Sequence, residues 1–168
     1  MKHIFSTALV GLLLSGQAIA AEWEIGKRDG AVDLSITGDI THGERQRFTF
    51  RKGNCDRVIH TFSTYTEEPA NFKKLEGKVF AIEFNGEKIG ARLDGTHRAM
   101  AGHLLFFNLG GYGNDELLDH LTKNKKITIR FIDGDGYKAS DYFDIPQNEW
   151  STSGISVAFE NASQACVQ

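Results

Sequence analysis

Prolines are scarce: Pro69 and Pro146 are the two in 168 residues. With no compositionally biased tract beside them, this argues against a disordered chain. Basic residues are outnumbered, 19 Lys and Arg against 22 Asp and Glu, which removes any global attraction to nucleic acid or an anionic membrane. Beyond residue 20 no apolar stretch approaches the ~20 residues that span a bilayer. The sequence has no Gly-x-Ser-x-Gly elbow, no phosphate loop, and no His-x-His or His-Glu-x-x-His motif. It shows no internal repeat and no linker, so its length suits one domain.

What is present begins with "MKHIFSTALVGLLLSGQAIA". Lys2 gives a positive start, Ile4 to Leu14 is uncharged and largely apolar, and Ala18 and Ala20 are the small residues a signal peptidase reads. Residues 1–20 are therefore expected to be a secretory signal peptide, cleaved near Ala20-Ala21. The remaining 148 residues, 21–168, form the expected single domain, periplasmic or secreted, with 18 basic and 22 acidic residues.

Cys55 and Cys166 both belong to that part. Two thiols in an exported protein are most simply one disulfide. A loop of about 110 residues closed this way contributes roughly 4–5 kcal/mol in the chain-entropy model. Free thiols are the alternative; a Cys metal pair lacks the local Cys-x-x-Cys or Cys-x-x-His cluster.

Periodicity is mostly that of strands. Val32, Leu34 and Ile36 alternate with polar residues, as do Phe48 and Phe50 with Arg47, Thr49 and Arg51. "VIHTFSTY" (58–65) reads as a third strand. In "KVFAIEFNGEKIGARL" (78–93), Asn85-Gly86 predicts a type I′ hairpin. That register sets Ile82 opposite Ile89, and Glu83 opposite Lys88 as a cross-strand pair. "HLLFFNL" (103–109) reads as a buried strand broken by "GGYGN", and "KKITIRFI" as a strand with "YKASDYFDI" as its return. Helices are expected over 115–124 and, after Pro146, in "STSGISVAFENASQAC", with Ile155, Phe159 and Ala162 on one face. About eight strands and two short peripheral helices predict a mainly β fold, an antiparallel sandwich or barrel. An α+β layer is the alternative.

Candidate sites are few. "FIDGDGYKASDYFDI" (131–145) offers Asp133, Asp135 and Asp141 as a loose calcium set. Counted from Asp133, Tyr137 and Lys138 occupy the fifth and sixth positions of an EF-hand loop, where an oxygen ligand and a glycine are needed. A hairpin turn is the preferred reading. Beyond the expected signal peptide the histidines are His42, His60, His97, His103 and His120, of which His97 and His103 with Asp94 are a zinc candidate. Cys55 with His60 would make a thiol nucleophile only if the disulfide were absent. Residues 110–114 before a helix are an anion-site candidate, with a turn and helix cap preferred. Asn161-Ala162-Ser163 is a glycosylation triplet inside a predicted helix. In "GERQRFTFRKGNCDR", strand alternation places Arg45, Arg47, Thr49 and Arg51 on one face, away from Phe48 and Phe50. A row of arginines suits carboxylate or phosphate groups, and an ordinary solvated strand face is the competing account.

Trp23, the helix-to-strand run "ELLDHLTKNKKITIRF" and the small-residue helix "SGISVAFENASQAC" together resemble exported proteins of the invasion-associated locus B family. The resemblance is clearest over roughly residues 115–166, and this chain departs from it in having fewer cysteines in its first half. It implies a small exported β-rich protein with an envelope or host-surface role, and it carries over no catalytic residue. The expectation is an exported, non-enzymatic binding module with no cofactor. Its partner would be a protein or an anionic envelope component. An envelope hydrolase or metal-dependent enzyme, and an inhibitor or immunity-type protein, are the alternatives.

Overall fold

The computed structural model describes residues 23–38 and 44–168; the expected signal peptide and His42 lie outside them. Among the described residues, nine strands form one curled antiparallel sheet. They are β1 (Glu24–Arg28), β2 (Ala31–Thr37), β3 (Arg45–Arg51), β4 (Asn54–Thr66), β5 (Val79–Phe84), β6 (Glu87–Ala99), β7 (Gly102–Gly113), β8 (Lys126–Phe131) and β9 (Gln147–Ser151). Their spatial order is β1-β2-β3-β4-β7-β6-β5-β8-β9. Two helices accompany them, α1 (Asn114–Thr122) and α2 (Ile155–Val167). The mainly β reading holds.

Alternation explains most of the sheet. On β3, Gln46, Phe48 and Phe50 are buried while Arg45, Arg47 and Thr49 are half-exposed. The inward residues meet in an aromatic core, where Phe62 stacks on Phe107 at 5.0 Å between ring centroids and Phe131 on Phe143 at 3.6 Å. On α2, Ile155, Phe159 and Ala162 are buried, and Phe159 packs on Phe48 and Phe50. Cys166, at the end of the same stripe, bonds Cys55 at the start of β4. The Trp23 indole donates to the Ser153 carbonyl at 3.1 Å, tying the chain before β1 to the chain after β9. The sheet's two edges are thereby drawn toward each other.

The hairpin joining β5 to β6 has the predicted register, with Phe84 opposite Glu87, Ile82 opposite Ile89 and Phe80 opposite Ala91. Asn85 and Gly86 take φ of 49° and 89°, as a type I′ turn requires. Nothing lies within 4 Å of a Cβ added at Gly86, so Gly86→Ala suffers only the backbone penalty. A loss of about 1 kcal/mol is expected from urea melts. The pair predicted across this hairpin needs correction. Glu83 does face Lys88, but its carboxylate accepts the Arg130 guanidinium of β8 instead. Strand β8 runs along the other side of β5, and a planar fork binds carboxylate better than a single ammonium.

Three other expectations change. Residues 110–113 do not break β7. Gly110, at φ 107°, sits where the β4–β7 register shifts between His60 and Thr61, so the glycine absorbs a bulge and pairing continues to Gly113. The return strand for β8 is β9, and "YKASDYFDI" is not a strand. A tight turn pairs Gly134 with Tyr137, and a 3-10 turn follows at Ala139–Asp141. Burial dictates this path. Phe143 lies on Phe131, the Tyr137 hydroxyl accepts the Ala81 amide at 2.6 Å, and Lys78 sits 4.4 Å above the Tyr137 ring. Finally, β1 has no predicted counterpart, because its five residues are all exposed and leave no apolar alternation to read.

Candidate functional site

The arginine row lies on the outer face of β3, as its alternation predicts. Six residues of strand separate Arg45 from Arg51, roughly 20 Å, and the row is not uniform along that length. Arg45 is held by Ser35 Oγ at 3.3 Å and Thr37 Oγ1 at 3.2 Å, and pairs with Glu24 at 3.1 Å. In the middle of the row, Thr49 donates to Asp33 at 2.6 Å, and Asp33 also pairs with Arg28. Glu24 of β1 thus neutralises Arg45, while Asp33 of β2 is taken up by Thr49 and Arg28. Arg51 is exposed beyond them, where the β3–β4 register shifts.

Arg47 differs from its neighbours. It is half-buried and its guanidinium makes no hydrogen bond or ion pair among the described residues. With Arg45, Thr61, Ser63, Asp94 and Phe106 it lines a groove of about 130 Å³ across β3, β4, β7 and β6. Asp94 forms the far wall. Its carboxyl is held below the usual range first by the hydrogen bond from Arg92, and then by that from Asn108, against the opposing effect of burial. The groove therefore presents one satisfied carboxylate, one braced guanidinium, one guanidinium without a protein partner among the described residues, the Thr61 and Ser63 side chains and a phenyl ring.

The other sequence candidates do not assemble. Cys55 is in a disulfide, which removes the thiol nucleophile. His97 pairs with Leu104 and His103 with Arg98, so the two histidines point to opposite faces of the sheet, and His103 packs against Phe72 instead. Among the described residues no three His, Cys, Asp or Glu side chains come together as metal ligands. Asp133 accepts the Ala139 amide at 2.8 Å and Asp141 faces the Lys138 amide, so both serve the turn backbone. Helix α1 opens with Asp115 and Glu116, which disfavour an anion at its N-terminus. Ser163 of the glycosylation triplet lies within α2 and donates to the Cys55 carbonyl at 3.3 Å.

No protein-family model, curated protein or solved structure matches this chain.

The fold brings near each other two histidines that the sequence does not relate: His60, a candidate there only as a partner for Cys55, and His120, which has no assigned role. His60 is fully buried among Phe48, Phe84 and Tyr112, and its Nε2 lies 2.6 Å from Gln46 Oε1. Burial, with a smaller contribution from the charge of His120, pushes its pKa down to about 3. His120 projects from α1 against Phe84, at 5.0 Å between ring centroids. His60 Nδ1 and His120 Nε2 are both buried without a hydrogen-bond partner. A cavity of about 300 Å³ opens beside His120, between α1 and the β5–β6 hairpin. The signals were available: His60 falls in phase with Val58 and Phe62, and His120 stands three residues after Leu117 and one before Leu121.

Proposed function

We propose that the protein is an exported, non-enzymatic binding module of the bacterial envelope, acting in the periplasm or after secretion. It captures a partner that presents carboxylate or phosphate groups, whether an envelope polymer or an acidic protein, through the groove at Arg45 and Arg47. The observation that carries this is Arg47, a half-buried guanidinium without a partner, beside a second guanidinium that three neighbouring side chains hold in place. A planar fork of donors left open at a groove suits a bidentate oxyanion. The flanking hydroxyls of Thr61 and Ser63 and the Phe106 ring fit a polymer repeat better than a bare ion. The Cys55–Cys166 disulfide is compatible with an oxidising compartment. Among the described residues no helix is long and apolar enough to cross a membrane. The resemblance to the invasion-associated locus B family supports an envelope or host-surface role.

The test is capture on an immobilised carboxylate polymer, polygalacturonate, and on polyphosphate. Replacing Arg45, Arg47 and Arg51 together by serine should leave the circular dichroism spectrum and melting unchanged. Capture should weaken about 5- to 30-fold, as expected for two exposed ionic contacts of about 0.5–1 kcal/mol each. Arg47→Ser alone should account for much of the loss and Arg51→Ser for little. Added salt should weaken the wild type more than the triple variant. Equal capture by wild type and triple variant sinks the proposal and returns the stripe to an ordinary solvated face.

A further inference from the structure

The cavity beside His120 is separate from the arginine groove and has the opposite charge character. Its apolar wall is built by Phe84, Ile89, Tyr112 and Leu117. Glu87 and Glu116 stand at its mouth, and neither has an ion-pair partner among the described residues. Asp119 and Lys123 complete the rim but neutralise each other at 2.9 Å. The Tyr112 hydroxyl donates to the Leu109 carbonyl at 2.9 Å, which fixes the ring as a wall. The volume of about 300 Å³ lies at the small end of the range for ligand cavities.

We propose that this cavity is a binding site for a small organic cation, an ammonium group carried on an apolar or aromatic body. Two features select that class. The two unpartnered carboxylates at the mouth give a local negative potential that a cation neutralises and a carboxylate ligand would meet as repulsion. The half-buried Tyr112 ring offers a π-face that attracts an ammonium, and Phe84, Ile89 and Leu117 form an apolar wall for a hydrocarbon body. The His120 ring lines the same cavity, with its Nε2 closed off behind the surface. The site is distinct from the oxyanion groove on β3, so its success or failure is independent of that reading.

The experiment uses the full disulfide-bonded protein and three probes of nearly the same shape: 2-phenylethylamine, 2-phenylethanol and 3-phenylpropionate. Amide chemical shifts in a titration give both the affinity and the place. The expected result is that the amine binds tightest and the carboxylate weakest, with shifts concentrated at Ile89, Tyr112, Leu117 and His120. Glu87→Gln combined with Glu116→Gln, both exposed positions, should weaken the amine about tenfold and the alcohol hardly at all. Arg47→Ser should change neither. Equal affinity for the three probes, no binding by the amine, or an unchanged amine affinity in the double Gln variant overturns the proposal.

Discussion

Removing the Cys55–Cys166 disulfide lowers the folding free energy by about 4–5 kcal/mol. The two cysteines are 111 residues apart in sequence, so the bond closes most of the described chain into one loop. In the chain-entropy account, a loop of that length restricts the unfolded ensemble by about this amount. At ~2–4 °C per kcal/mol for a domain of this size, the melting temperature falls by about 8–20 °C. Thermal and urea melts of the oxidised protein against Cys55→Ala/Cys166→Ala measure it. The variant should still fold, because Ile155, Phe159 and Ala162 dock α2 without the bond. A loss below about 1 kcal/mol would mean that this docking alone fixes the helix, and that the unfolded chain is already compact.

Acid destabilises the protein through His60 before any carboxylate contributes. The folded ring, driven by burial and then by the charge of His120, does not take up a proton until about pH 3, against 6.5 for the exposed side chain. Below pH 6.5 the unfolded chain therefore binds a proton that the folded chain refuses. The stability is complete above pH 6.5 and is lost progressively as pH falls toward 3, by about 4–5 kcal/mol in all. Asp94 and Glu149 have lowered pKa values, each first through a hydrogen bond from a basic side chain, Arg92 and Lys126 respectively. Their stabilisation is present above their unfolded values, near 4, and disappears as pH falls below them. From pH 6.5 to about 4.5 the slope thus belongs mainly to His60. Urea melts across that window should show wild type losing up to about 1.4 kcal/mol per pH unit more than His60→Gln. Parallel curves for the two proteins would contradict a neutral, buried His60.

What the sequence reveals depends on whether its signal is local. The Asn85-Gly86 turn carries its own backbone requirement, so the β5–β6 register is legible in full. The inward and outward faces of β3 are likewise legible from alternation. Strand β1 is not, since its order comes from the backbone ladder to β2 and not from burying side chains. The segment around Tyr137, Tyr142 and Phe143 misleads for the opposite reason. Its aromatic residues look like strand residues, but they cap the core as turns. Both candidate regions are half legible. Arg45 and Arg47 announce themselves, whereas Asp94 and Phe106 join them only through the β4–β7–β6 pairing. The cavity beside His120 is assembled from the β5–β6 hairpin, β7 and α1, and no sequence spacing relates those parts.

The long reach of the disulfide also has a consequence for biosynthesis. A chain delivered N-terminus first at ~5–20 residues per second exposes the Cys55 thiol roughly 5–20 s before Cys166 appears. During that interval α2 is absent as well, and the faces of Phe48 and Phe50 that Phe159 will cover stay open. With only two cysteines in the sequence, Cys55 has no wrong partner within its own chain. Its one covalent error is a bond to another molecule. Misassembly should therefore appear as disulfide-linked dimers and mixed disulfides at Cys55, and not as scrambled monomers in need of isomerisation.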